Sequence, residues 1–506
     1  MKMNKNYIWL FLAFFGLIAC ESDDDSDILI EEPITSGTAD FSNYVALGNS
    51  LTAGYTDGAL FLAGQVNSIP NILAGQFALA GGGSFSQPLT SDNIGGVLFG
   101  GNQILENRLF FNGAGPARLP GNPTTDVTNI LAGPFNNMGV PGAKSFHLGA
   151  PGYGNISGVL SGTANPYFVR FASAPDATVI GDAIVQGPSF FTLWIGNNDV
   201  LSYATSGGVG VDRTGDPNVA GYGSNDITDP GVFGQIYASY ITALTSNGAG
   251  GAVANIPDVS TIPYFTTVPF NPVPLDAATV DQLNSQLIGP VKGILTQLGQ
   301  GGRLVLLSSS EPNPLLLTDE TLTDYSEEIS NALQQNGVPQ QQADLMGALY
   351  GRARHATATD LITLPTASNI GGTQGGIPAP FNTIGVTYPL QDQNVLIPSE
   401  QAAITAAVDA YNVIIKGQAD AAGLAFIDAN ALLKEIGING IAFDEFNLNG
   451  DLVFGNAFSL DGVHPTARGY AFIANQFMAA INETYGSNLP FVKAADYNTV
   501  YPAGLQ

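Results

Sequence analysis

The chain has 506 residues, with 42 acidic against 15 basic side chains and a net charge of −27. That balance argues against nucleic acid as a partner, because phosphate binding needs basic patches. With 45% of residues hydrophobic it is no disordered chain either, although 62 glycines and 31 prolines point to many loops.

Taken in chain order, Lys2 and Lys5 precede an apolar run over Tyr7–Ala19, too short to span a bilayer and of signal-peptide length. It ends in Leu17-Ile18-Ala19-Cys20, which resembles the lipobox of bacterial lipoproteins. The resemblance implies cleavage before Cys20 and acylation of its thiol, placing the protein on the bacterial outer membrane. Cys20 is the single cysteine, so an internal disulfide is impossible. The acidic run Glu21–Asp27 reads as a solvated tether and resembles the surface-export signal of Bacteroidota lipoproteins. We expect a leader over 1–19, a tether over 20–40, one domain over 41–491 and a tail over 492–506.

Within the domain, short apolar runs at Tyr44–Leu47, Phe190–Ile195, Gly251–Ile256, Leu304–Leu307 and Leu424–Ile427 predict strands. Helical spacing predicts helices over Pro230–Leu244, Asp276–Leu298, Glu400–Ala422 and Pro465–Tyr485. This alternation predicts an α/β fold, a three-layer α/β/α body around a mainly parallel, flavodoxin-like sheet. Irregular tracts near 84–136, 207–226 and 310–398 are expected as insertions on that scaffold. Asn449-Gly450 predicts the turn of a small ribbon.

The first strand ends in Gly48-Asn49-Ser50-Leu51-Thr52. Ser50 is either the cap of the next helix or a nucleophile at the carboxyl end of the sheet. A nucleophilic serine needs a base, an orienter for that base, and donors for the developing oxyanion. Only His147, His355 and His464 are available as bases. His464 lies in SLDGVHP, where Asp461 stands three residues before it, close enough to fix the imidazole tautomer. A pair of this kind also serves as ordinary turn and cap. Gly196-Asn197-Asn198-Asp199 offers a neutral amide at a strand end, or an Asx turn. Gly139 and Gly142 permit close backbone approach to a ligand.

Together, in this order, these motifs resemble the SGNH (GDSL) hydrolase superfamily from Phe41 to about Gly486. Asn255–Phe265 and Tyr411–Ala429 resemble further segments of that family, and the whole resembles its lipid-anchored lipolytic members. The resemblance implies Ser50 as nucleophile, His464 as base and Asp461 as its orienter. It assigns the oxyanion hole to the N–H groups of Ser50 and Gly142 and the side chain of Asn198. It implies no metal or organic cofactor; a monomer is expected. Two positions depart from the family pattern, Asn49 for aspartate and Pro141 for serine.

The expected activity is ester hydrolysis through an acyl-enzyme, on a lipid or fatty-acyl ester. Deacetylation of glycans, acyl transfer to a sugar, and a non-catalytic lipid- or glycan-binding lipoprotein are the alternatives. Leu60, Phe61, Leu62, Leu98, Phe99, Leu109, Phe110 and Phe111 are candidates for an acyl pocket or for plain packing. His355, in an insertion beside Arg352 and Arg354, is expected at the surface, with substrate contact as the alternative. Asp212, Asp216, Asp226 and Asp229 fit no calcium cage.

Overall fold

A computed structural model describes residues 33–505. The leader, Cys20 and the acidic run lie outside the described residues. From Ile34 onward the chain is one compact unit. It therefore begins before Phe41: the Thr35 N–H donates to Asn488 Oδ1 at 2.6 Å, and the Thr38 N–H to the Tyr485 carbonyl at 2.8 Å.

Five parallel strands form the central sheet: β1 (Tyr44–Gly48), β2 (Asn137–Gly139), β3 (Phe190–Trp194), β4 (Gly250–Ala254) and β5 (Ala425–Ile427). Their order is β2-β1-β3-β4-β5. Every residue of β1 and β3 is buried, as in a parallel strand covered on both faces. Seven helices position the site: α1 (Ser50–Ala53), α2 (Ile69–Leu79), α3 (Asn198–Thr205), α4 (Pro230–Thr245), α5 (Pro398–Ala422), α6 (Ala429–Ile438) and α7 (Ala467–Tyr485). α2 packs with α7, and α4 packs with α5. This is the expected α/β architecture with a parallel sheet.

Several expectations need correction. Leu304–Leu307 joins no sheet. Val305 and Leu306 are exposed, while Leu304 and Leu307 turn into a second core, separate from that of the sheet, which gathers residues from Val268 to Ile397. The third insertion is thus larger than 310–398. It also holds the Asp276-capped helix, which runs from Ala277 to Gln297 with a π-helical turn at Asn284–Ile288. The ribbon exists, pairing Ile441–Phe443 with Phe446–Leu448, but it turns at Asp444-Glu445 rather than Asn449-Gly450. The 84–136 tract contains small strands, such as Leu109–Phe111 paired with Pro116–Arg118. The expected tail is packed on the body: Tyr501 is buried against the Phe61 ring at 5.0 Å, and Arg108 donates to the Pro502 carbonyl at 2.7 Å.

Candidate active site

Ser50 stands at the carboxyl end of β1, between β2 and β3, where parallel sheets place their ligands. Gly48 makes the turn possible, since a Cβ there would lie 2.4 Å from the Trp194 carbonyl oxygen. The helix cap is Asn49, whose Oδ1 accepts the Leu51 N–H at 3.0 Å. Ser50 is therefore the first helical residue, with a backbone N–H that lacks an intrahelical acceptor. Its hydroxyl lies 2.9 Å from His464 Nε2.

His464 Nδ1 in turn lies 2.9 Å from Asp461 Oδ2. Because an ionised carboxylate only accepts, Nδ1 carries the proton and Nε2 is left to accept the serine hydroxyl. Asp461 is held by four other contacts. The N–H groups of Gly58, Val463 and His464 donate to it at 2.8 Å each, and Ser459 Oγ at 3.1 Å. Burial raises the Asp461 carboxyl, but the His464 charge and these donors outweigh it and hold the group at about 2. The Tyr55 ring lies 4.7 Å from the imidazole. Thr466 caps α7, so Pro465 ends the loop one residue before that cap instead of opening the helix.

Asn198 opens α3 and lines the same cleft as Ser50 and His464; its Nδ2 donates to the Ala143 carbonyl at 2.9 Å. Gly142 precedes Ala143 on an exposed turn with φ +80°, and a Cβ there would meet nothing. It is not among the residues lining the cleft. Asn197, to which the family resemblance gives no role, does line it. It accepts from Asn49 Nδ2 at 2.9 Å, and its own buried Nδ2 has no partner among the described residues. The doubled asparagine was the available signal.

The cleft encloses about 750 Å³ of atom-free space, its open mouth included. Apart from Ser50, Asn197, Asn198 and His464 its walls are apolar, with Trp194, Val259, Ile262, Leu433, Ile436 and Phe472 prominent. None of the loop residues Leu60, Phe61, Leu62, Leu98, Phe99, Leu109, Phe110 or Phe111 lines it; Phe61, for one, packs on Tyr501. Asn255–Phe265 does contribute, through Pro257, Val259 and Ile262.

The other histidines are structural. His147 Nδ1 accepts the Lys144 N–H at 3.0 Å, and burial pushes the ring down to about 4. His355 is buried rather than at the surface, accepts the Val305 N–H at 2.9 Å, and is likewise pushed down to about 4 by burial. Of the loop acids, Asp226 pairs with Arg213 at 2.6 Å and Asp229 caps α4. Glu320, Asp392 and Glu400 do converge, with carboxylate oxygens within 4.8 Å of one another. Burial first, then the neighbouring acids, raise Glu400 to about 8.

No family model matches the sequence, and no curated protein does. Among solved structures the chain is similar to a mutant of Axe2, an acetyl-xylooligosaccharide esterase from Geobacillus Stearmophilus. The identity is 10%, the TM-score 0.30, and the match covers 88% of this chain and 96% of that one. A likeness this faint says nothing of what the chain does.

Proposed function

We propose that the protein hydrolyses carboxylic esters of medium or long acyl chains, using Ser50 as nucleophile. The observation that carries this reading is a continuous Ser50–His464–Asp461 hydrogen-bond chain, 2.9 Å at each link, opening on an apolar cleft. His464 Nε2 takes the hydroxyl proton as Ser50 Oγ attacks the carbonyl carbon. The oxyanion is received by the Ser50 N–H and, once it leaves the Ala143 carbonyl, by Asn198 Nδ2; Gly142 is the third donor that the family resemblance supplies. Collapse breaks the ester C–O bond, and the imidazolium protonates the departing alcohol. Water, deprotonated by His464, then attacks the acyl-enzyme, releasing the carboxylic acid and restoring Ser50. Asp461 stays ionised throughout, in keeping with its low carboxyl range.

The apolar walls favour an acyl chain over a sugar, since each buried methylene contributes about 0.8 kcal/mol and sugar hydroxyls would find few partners. This supports the SGNH resemblance in its lipolytic form over a glycan deacetylase. The lipobox-like motif ending at Cys20 supports the same reading, because acylation there would hold such an enzyme at a membrane surface, near lipid esters. Nitrophenyl esters from acetyl to palmitoyl test the reading. Turnover should rise with chain length into the medium range and vanish in Ser50→Ala. Equal turnover by that variant would overturn it.

A further inference from the structure

The residues just after α1 bear on Asp461 in a way that the family motifs do not cover. Thr56-Asp57-Gly58-Ala59 is a tight turn closed by reciprocal Thr56–Ala59 backbone hydrogen bonds of 3.1 Å. Asp57 and Gly58 have φ of +52° and +72°, the pattern of a type I′ turn, for which Asp-Gly is a preferred pair. The turn is fastened to the loop carrying Asp461 and His464 at four points. Thr56 Oγ1 donates to the Pro465 carbonyl at 2.9 Å, and the Asp57 N–H to Ser459 Oγ at 2.9 Å. The Leu460 N–H donates to Asp57 Oδ1 at 3.0 Å, and the Gly58 N–H to Asp461 Oδ2 at 2.8 Å. That last oxygen is the one that holds His464 Nδ1.

Asp57 is only 1% exposed, and its Oδ2 is buried without a partner among the described residues. Burying a carboxyl this poorly bonded is costly. The turn does not require it, because glycine adopts the same φ at no steric cost. What the side chain alone supplies is the acceptor for Leu460, the residue next to Asp461. The ionisable groups acting on it are Asp461, Arg108 and Tyr501. Arg108 spends its donors on the carbonyls of Asn93, Leu109, Tyr501 and Pro502, leaving Asp57 without a direct cation.

We propose that Asp57 is a positioning residue: by holding the Leu460 N–H it sets Asp461 against Gly58 and His464, and so presents the imidazole to Ser50. The inference rests on the ester-hydrolase reading. A small misplacement of a base costs turnover far more than binding, and a shift of about 1 Å can cost ~100-fold. The apolar cleft, which Asp57 does not line, should be unaffected.

The test compares Asp57→Gly, which keeps the turn and loses the acceptor, with Asp57→Asn, which keeps both. On a medium-chain nitrophenyl ester, Asp57→Gly should lose roughly 10- to 100-fold in kcat with KM within about twofold, and Asp57→Asn should stay within about threefold of the parent in both. A second readout needs no turnover. Of the three histidines only His464 has Nδ1 on a carboxylate, because Nδ1 of His147 and of His355 each accept a backbone N–H. Its downfield Nδ1 proton resonance should survive in Asp57→Asn and be lost or broadened in Asp57→Gly. Full kcat in Asp57→Gly, or an Asp57→Asn as impaired as the glycine variant, would overturn the proposal. Should the glycine variant not fold, a tenfold loss in Asp57→Asn still refutes it. If the parent cleaves no ester while the resonance responds as stated, the ester reading fails and the positioning stands.

Discussion

Filling the cleft should shorten the acyl chains that the enzyme prefers. Leu433 lies on α6, partly exposed, with its side chain on the cleft wall, so a larger ring can be accommodated there without overpacking the sheet core. Going from a butyryl to an octanoyl ester adds four methylenes. At about 0.8 kcal/mol each, full burial in the transition state is worth ~3 kcal/mol, or roughly 200-fold in kcat/KM. Leu433→Trp places an indole where those methylenes would lie. The ratio of octanoyl to butyryl kcat/KM should fall at least ~10-fold while acetyl hydrolysis stays within about threefold, since only remote binding is removed. The assay is nitrophenyl ester hydrolysis with parent and variant side by side. An unchanged ratio, or a parent whose profile peaks at acetyl, would refute the cleft as the acyl site.

Ser50→Ala and His464→Ala should each lower kcat by ~10⁴ or more without altering the thermal midpoint by more than a few degrees, checked by ester turnover and circular dichroism. Gly48→Ala forces a Cβ to 2.4 Å from the Trp194 carbonyl oxygen and should destabilise the fold by ~1–3 kcal/mol, read as a lowered urea midpoint. Glu400 carries its proton in the folded state up to about 8, whereas its ordinary range is near 4.5. The folded state therefore binds more protons across that window, and stability falls as pH rises through it. Glu400→Gln should leave the melting temperature nearly unchanged at pH 4 and raise it increasingly from pH 5 to pH 8; a pH-independent difference would contradict this. Lipid attachment at Cys20 predicts incorporation of radiolabelled palmitate in a bacterial host, lost in Cys20→Ser.

Four of the five sheet strands were legible because each is largely buried and reads as a mainly apolar run. β2 was not: Asn137-Met138-Gly139 is three residues long, and Gly139 is there because a Cβ would lie 2.4 Å from the Ala53 nitrogen. Leu304–Leu307 has the composition of a strand, yet its side chains serve a second core, a choice made by contacts distant in sequence. Asp461 and His464, three residues apart, could be paired from local spacing. Ser50 stands 414 residues from His464, and its place beside that ring came from family resemblance alone. The cleft walls were less readable. They draw on α6 and on Pro257–Ile262, whereas the apolar loop residues that looked available are spent on other packing. The Asp57-Gly58 dipeptide carried a turn signal that was legible in principle, but its bond to Asp461 depends on two loops 403 residues apart.

A fluorophosphonate probe, followed by mass-spectrometric mapping of the adduct, tests the nucleophile most directly. The account predicts one covalent adduct on Ser50, formed quickly by the parent, slowed greatly in His464→Ala and absent in Ser50→Ala. Folded parent protein that takes up no probe, or carries it on another side chain, would contradict it.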